Sequence, residues 1–257
     1  MNSNNPFFKN KSFTNTSRYS TDNISEPQTI VIDYNETMTV QGTINKSLLM
    51  LLLLVVGAAV TWTMTMTGYN PIVLTIGGAI IGFILVLVAA FKPQYSGYLA
   101  PGYAFFEGLF IGGLSAIFEM MYPGLVIQAV GATFVTFIVC FGLYKYNVVQ
   151  VTDRFRSVVV AATLAIASFY LITWLLSLFI NFQPIHHGNS LMSIGISAFV
   201  IVVAALNLFL DFDQIEKGAQ RNLPKYMEWF GAMGLMITLV WLYVEFLRLL
   251  SKLSSRD

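Results

Sequence analysis

Residues 48–67 read LLMLLLLVVGAAVTWTMTMT, twenty consecutive residues without a charged side chain. An α-helix rises 1.5 Å per residue, so about 20 apolar residues are needed to cross a hydrocarbon core of about 30 Å. Six further apolar segments of similar length follow, separated by short polar loops. The predicted spans are 48–67, 72–91, 103–121, 125–144, 158–180, 192–210 and 229–250. They predict an all-α, polytopic membrane protein folded as a seven-transmembrane-helix bundle.

Composition supports this fold class and excludes several others. The chain is 56% hydrophobic and only 11% charged, which leaves too few charges to cover a soluble surface. The spans lack the period-two alternation of a transmembrane barrel. A net charge of +1 argues against nucleic-acid binding, which needs a clustered basic face. The single Cys140 excludes an intrachain disulfide and a cysteine-based metal site.

The sequence offers little that resembles catalytic chemistry. It contains no Gly-x-Ser-x-Gly, no His-Glu-x-x-His and no phosphate-binding glycine loop. The adjacent His186 and His187 are interpreted as an exposed loop pair. We therefore expect no enzymatic activity and no bound cofactor.

Residues 1–45 differ in composition from the rest of the chain. They are rich in Asn, Ser and Thr, so they cannot bury enough apolar surface to offset chain entropy. We predict a disordered cytoplasmic tail over 1–45 and a membrane domain over 46–257. The first thirty residues contain no apolar stretch typical of a cleavable signal peptide, so the first span is expected to direct insertion.

The distribution of basic residues predicts the orientation in the membrane. With the N-terminus in the cytoplasm, 11 of the 14 Lys and Arg residues lie on the inner side. They are Lys9, Lys11, Arg18, Lys46, Lys92, Lys145, Arg154, Arg156, Lys217, Arg221 and Lys225. Only Arg248, Lys252 and Arg256, at the end of the seventh helix, fall on the other side. We expect a multi-pass protein of the cell (inner) membrane with a cytoplasmic N-terminus.

Small and polar side chains form one helical face on each of three spans. These faces contain Gly108, Gly112, Ser115 and Glu119 in the third span, Ser193, Ser197, Ala204, Asn207 and Asp211 in the sixth, and Glu228, Gly231, Thr238 and Glu245 in the seventh. The faces predict that these three helices pack together in the bundle interior. Alternatively, the glycines merely permit tight helix packing.

Carboxylates inside the spans or within one turn of their ends are the candidate functional groups, because a charge at membrane depth is costly unless it faces a cavity or a partner. The candidates for an ion pathway or a pH sensor are Asp211, Asp213, Glu107, Glu228, Glu119 and Glu245. Counting along the helices places Glu107, Asp211 and Asp213 near the cytoplasmic side, and Glu119 with Glu245 as an outer pair. Clustered carboxylates share a proton, bind a cation or pair with a base.

Three of these carboxylates also have an ordinary explanation. Asp213 is four residues from Lys217, a spacing typical of an ion pair on a helix surface. Glu245 is three residues from Arg248, which would neutralise it, and Glu119 would reach the outer headgroups. Asp211 and Glu107 have no local partner, so these two are the candidates for a transient calcium site.

Three segments resemble the Bax inhibitor-1 family, specifically its bacterial branch. They are GYAFFEG at 102–108 with YPG at 122–124, LNLFLDFDQIE at 206–216, and WLYVEFLRLL at 241–250. The similarity covers roughly residues 40–257. It implies a seven-helix bundle with the last helix central and an activity like that of pH-sensitive calcium-leak channels. Those channels use an Asp near the end of the sixth helix and another midway along the seventh.

The first family Asp maps onto Asp211, with Asp213 close behind. The second does not map directly. An ungapped alignment from Tyr226 places Met236 or Ile237 at its position, whereas pairing it with Glu245 lengthens the intervening segment. Glu107 or Glu228 is then the alternative partner of Asp211.

The leading hypothesis is a pH-modulated calcium leak, with the lipid bilayer and calcium or protons as partners. The alternative is a non-transporting regulator that binds a membrane protease or another membrane protein, with the tail as its contact. A secondary transporter ranks last, since no internal repeat is found.

Overall fold

A computed structural model describes residues 37–179 and 190–255. The described helices are α1 (Val40–Met66), α2 (Ile72–Phe91), α3 (Ser96–Met121), α4 (Leu125–Lys145), α5 (Asp153–Phe179), α6 (Leu191–Gln220) and α7 (Met227–Ser254), with a 3-10 turn at Pro93–Tyr95. All seven helices are long and apolar enough to cross a membrane. The predicted seven-helix membrane bundle is therefore confirmed. The His186–His187 pair and the predicted disorder of residues 1–36 lie outside the described residues.

Local signals explain where the helices begin and end. Thr39 precedes α1, and its side chain accepts a hydrogen bond from the N–H of Gly42, which is a typical N-cap. Gly68 follows α1 and Gly124 precedes α4, both with φ of 83°. Glycine adopts this left-handed conformation without steric cost, which allows tight turns between α1 and α2 and between α3 and α4.

Several helices extend beyond the apolar spans that the sequence predicted. α1 begins at Val40 rather than at 48, α3 begins at Ser96 rather than at 103, and α6 continues to Gln220 instead of ending at 210. Residues 40–45, which we assigned to the tail, are thus helical, and the described residues from Thr37 onward belong to one compact unit. Hydropathy detects only the part of a helix that lies in hydrocarbon, so polar helical ends escape it.

The last helix, α7, occupies the centre of the bundle. It packs against α1, α3, α4 and α6. Half of its apolar window is buried, compared with 17% of the corresponding window of α2. α2 therefore lies at the periphery, and the central position of the seventh helix is confirmed.

Gly108 and Gly112 of α3 face α1 rather than α6 and α7. A Cβ atom on Gly108 would collide with the backbone of Leu54, and one on Gly112 with that of Ala58. Close packing of α3 on α1 therefore requires glycine at both positions, as the alternative interpretation predicted. Further along α3, the Ser115 hydroxyl lies 2.6 Å from the Tyr243 hydroxyl of α7. Helical periodicity identified the packed face of α3 but not the helix that covers most of it.

Candidate functional site

Asp211 lies in the last third of α6 and faces α7. Its Oδ2 atom is buried and has no hydrogen-bond partner among the residues that the structure describes. Two groups of α7 lie beside it. The Thr238 hydroxyl lies near the carboxylate and donates to the carbonyl oxygen of Gly234 at 3.3 Å, and Gly234 leaves space next to Oδ1. A buried carboxylate oxygen without a donor is costly, so this atom is suited to receive a proton or a cation.

A small cavity of about 80 Å³ opens beside Asp211. Its lining comes from α6, α7 and the segments before α1 and α7, and consists of Met38, Asp211, Gln214, Ile215, Leu223, Met227, Phe230, Gly231 and Gly234. Asp211 and Gln214 are the polar side chains of this lining. A single water molecule needs roughly 10–15 Å³ by the same kind of measure, so the cavity can hold several waters or a partly hydrated ion.

Asp213 faces away from this cavity, because side chains two residues apart on a helix project about 200° apart. Its carboxylate binds Arg156 of α5 at 2.5 Å and Lys217 of α6 at 2.8 Å. The ion pair with Lys217 is confirmed. Asp213 itself is only 6% exposed, so the pair is anchored in an interface between α5 and α6 rather than on an open helix surface.

Glu228, in the first turn of α7, is paired with α1 rather than with Asp211. It is 1% exposed and forms an ion pair with Lys46. Its Oε1 atom also accepts hydrogen bonds from the N–H and the hydroxyl of Thr39, both at 2.9 Å. This carboxylate has three donors, all from the segment that enters and begins α1.

Glu107 is half-buried in α3 and lies against α2. A Cβ atom on Gly82 would be 3.0 Å from its Oε2 atom. Glu107 therefore fills space that a glycine on α2 leaves open. The residues that contact Glu107 and those that contact Asp211 belong to different helix pairs, α2–α3 and α6–α7, so the described contacts do not bring these two carboxylates together.

Glu119, at the end of α3, caps the following helix. Its carboxylate accepts the N–H of Gly124 at 2.7 Å and the N–H of Val126 at 3.1 Å. These N–H groups lie at the start of α4, where helices leave donors unsatisfied and favour negative charge. The described contacts give Glu119 a structural role and do not join it to Glu245.

Glu245 lies in α7, towards the opposite end from Glu228, and is 1% exposed. Its Oε1 atom accepts hydrogen bonds from Arg248 at 3.0 Å and from the Tyr170 hydroxyl of α5 at 3.3 Å. The predicted neutralisation by Arg248 is therefore confirmed. Its Oε2 atom is buried without a hydrogen-bond partner among the described residues.

The seventh-helix position that the resemblance assigns to a second Asp holds no carboxylate. Met236 is 2% exposed and packs into a cluster with Ala100 and Tyr103 of α3. Ile237 packs at the edge of the same cluster. The next residue, Thr238, supplies the polar group beside Asp211 instead. The polar group that α7 places beside Asp211 is therefore a hydroxyl, after the position that the resemblance assigns to the acid.

The described carboxylates do not form a metal cage. Within residues 37–179 and 190–255, no group of three or more His, Cys, Asp or Glu side chains converges to hold a metal ion. The transient calcium site at Asp211 and Glu107 stays a prediction.

Sequence reasoning missed three basic partners. Lys46 and Arg156 lie on other helices from the acids they bind, so no local spacing links them. Lys252 was detectable, since it continues the seven-residue spacing of Thr238 and Glu245. It is 9% exposed and donates to Ser193 O at 3.2 Å and Ser197 Oγ at 2.7 Å, on the small-residue face of α6.

Comparison with known protein families identifies a match over most of the chain. The family model described as Bax inhibitor 1 like matches residues 5–255. We limited the resemblance to residues from about 40 onward, whereas the match begins at residue 5. It therefore includes much of the N-terminal tail. A search of curated proteins finds no match.

Proposed function

The chain belongs to the Bax inhibitor 1-like family of proteins, and we propose that it is a multi-pass membrane protein that lets calcium leak across the bilayer under the control of Asp211. We place it in the cell membrane with its N-terminus in the cytoplasm. The observation that carries the proposal is the buried Oδ2 atom of Asp211, which has no donor within the described residues and borders a cavity.

Charge and space together support a cation at this position. An anionic oxygen that no protein donor satisfies attracts a positive partner, and the cavity provides room for one. Ca²⁺ prefers six to eight oxygen ligands, whereas the lining offers the Asp211 carboxylate and the Gln214 side chain. A site with few ligands binds an ion weakly enough to release it again, as conduction requires.

Protonation of Asp211 supplies the proposed pH control. A proton on this carboxyl removes the negative charge that attracts a cation and turns one oxygen into a donor towards the Thr238 side of α7. The contact between α6 and α7 then differs between the two protonation states, which biases a closed–open equilibrium. Asp213 and Glu228 are less suited to this role, because each is already paired with a base.

Calcium flux into liposomes tests the proposal. Purified protein is expected to raise calcium entry above that of protein-free liposomes, with a rate that changes between about pH 5 and pH 8. The Asp211→Asn variant should lose this pH dependence. Glu216→Gln, which changes an exposed acid on the same helix, is the matched control. Absence of flux from the wild-type protein, or unchanged pH dependence in Asp211→Asn, would refute the proposal.

A second candidate function is a non-transporting regulator that binds another membrane protein. The observation that favours it is an apolar groove of about 380 Å³ between α1 and α4. Its walls include Leu48, Phe134 and Phe141, each more than 40% exposed, which a partner's transmembrane helix would cover.

Deleting residues 2–36 while keeping 37–39, which contact the bundle, separates the two functions. Loss of the cellular phenotype with intact calcium flux would favour the regulator.

A further inference from the structure

The chain before α1 is fastened to the turn between α6 and α7. Residues 37–39, here called the strap, run alongside residues 223–224. Thr37 forms an isolated antiparallel bridge with Pro224, and the N–H of Met38 donates to the carbonyl oxygen of Leu223 at 2.6 Å. Backbone pairing therefore holds the strap across one end of the bundle.

The strap inserts the Met38 side chain between α6 and α7. Met38 is 4% exposed. A Cβ atom on Gly218 would lie 2.8 Å from its sulfur, and one on Gly231 would lie 3.5 Å from its methyl group. Glycine at position 218 thus makes room for Met38. The thioether is flexible enough to fill an irregular gap of this kind.

Met38 lies between the end of α6 and Asp211. Both residues line the same cavity. Gly218, which Met38 contacts, is seven residues further along α6 than Asp211, or about 10 Å closer to the end of the helix. Met38 therefore covers the Asp211 cavity on the side of that end of the bundle.

Glu228 secures the strap at its other end. The carboxylate accepts the N–H and hydroxyl of Thr39 and pairs with Lys46 in the second turn of α1. A Cβ atom on Gly42 would collide with this carboxylate, so glycine permits the close approach. If the strap left the bundle, a carboxylate that is 1% exposed would lose two of its three donors. Loss of these donors disfavours the open position.

We propose that the strap is a lid that closes the Asp211 cavity, with Met38 as the plug and Glu228 as the latch. Its role in controlling calcium passage rests on the proposed function. The closure itself is a property of the fold that can be measured without any calcium flux.

Thiol accessibility tests the closure. In a Cys140→Ser background, Gly234→Cys places a reporter in the cavity, at a position where an added Cβ meets only the Asp211 carboxylate, at 3.9 Å. A small, membrane-impermeant thiol reagent is applied to the purified protein. Glu228→Gln, which weakens the latch, should raise the labelling rate about tenfold by increasing the open population. Glu216→Gln should leave the rate unchanged. An equal rate in Glu228→Gln and its parent would overturn the lid.

Hydrogen exchange provides a test without the reporter cysteine. In the otherwise unchanged chain, the amides of Met38 and Thr39 donate to Leu223 and Glu228. Both amides should exchange faster in Glu228→Gln than in Glu216→Gln, while amides in the middle of α7 keep their rates. Unchanged exchange at both amides would contradict the latch. A working lid in a protein that passes no calcium would refute the proposed function alone, and calcium flux with an unresponsive strap would refute the lid alone.

Discussion

The carboxylate of Glu228 accepts both the backbone N–H and the side-chain hydroxyl of Thr39, each at 2.9 Å. Thr39 uses the same hydroxyl oxygen to cap α1, since it accepts the N–H of Gly42 at 2.9 Å. Thr39 thus caps the first helix and also hydrogen-bonds to the last helix. The last helix contacts four others, and through Glu228 it also holds the segment that leads into the first helix.

The ion pair between Lys46 and Glu228 should contribute measurably to stability. Lys46→Met removes the cation and leaves a buried carboxylate with only the two Thr39 donors. Breaking such a pair typically costs about 3 kcal/mol or more. We expect a clear drop in the thermal unfolding temperature of the detergent-purified protein. The double variant with Glu228→Gln should be less destabilised than the sum of the two single variants, and simple additivity would contradict the pairing.

The contact of α3 with α1 should depend on glycine. Gly112→Ala places a Cβ against the backbone of Ala58, and overpacking of this kind costs about 1–3 kcal/mol. Gly131→Ala in α4 is the matched control, because nothing lies within 4 Å of its added Cβ. It should be neutral or stabilise by up to about 1 kcal/mol, since alanine favours helix over glycine. Equal thermal stability of the two variants would argue against the α1–α3 packing.

Glu119 should behave as a cap and not as part of an ion path. Glu119→Ala removes the acceptor of the Gly124 and Val126 amides, which is expected to cost about 1 kcal/mol, as for other lost caps. Calcium flux and its pH dependence should be retained once the protein is folded. A variant with normal stability but altered flux would show that the capping role is incomplete.

Asp213 should be a structural neighbour of Asp211, not its substitute. Asp213→Asn leaves Arg156 and Lys217, which are 41% and 42% exposed and stay solvated. We therefore expect a loss of only about 1–2 kcal/mol, within the range for charged hydrogen bonds. The pH dependence of calcium flux should persist. Loss of the pH dependence in Asp213→Asn would move the proposed sensor from Asp211, which faces α7, to Asp213, which pairs with Arg156 of α5.

The sequence was most informative about features that repeat locally. Seven apolar runs predicted seven helices, and spacings of three or four residues identified the Asp213–Lys217 and Glu245–Arg248 pairs. Such contacts need only the geometry of a single helix. Hydropathy was less informative at helix ends, where α1 and α6 continue into polar sequence.

Contacts between helices were beyond single-sequence reasoning. Nothing near Glu228 in the sequence indicates that its base is Lys46, 182 residues away. The same limit applies to Met38, which local composition assigned to a disordered tail although it lines the Asp211 cavity. Which helix covers which face depends on the packing of the whole bundle.

The most direct measurement is the ratio of calcium flux rates at two pH values for the wild-type protein and Asp211→Asn, reconstituted at equal density in liposomes. Asp213→Asn and Glu216→Gln serve as controls, because they change acids on the same helix that lie outside the cavity lining. We expect the wild-type ratio to differ from one, the two controls to keep that ratio, and Asp211→Asn alone to bring it to one. A wild-type ratio preserved in Asp211→Asn would contradict control by the buried carboxylate of Asp211.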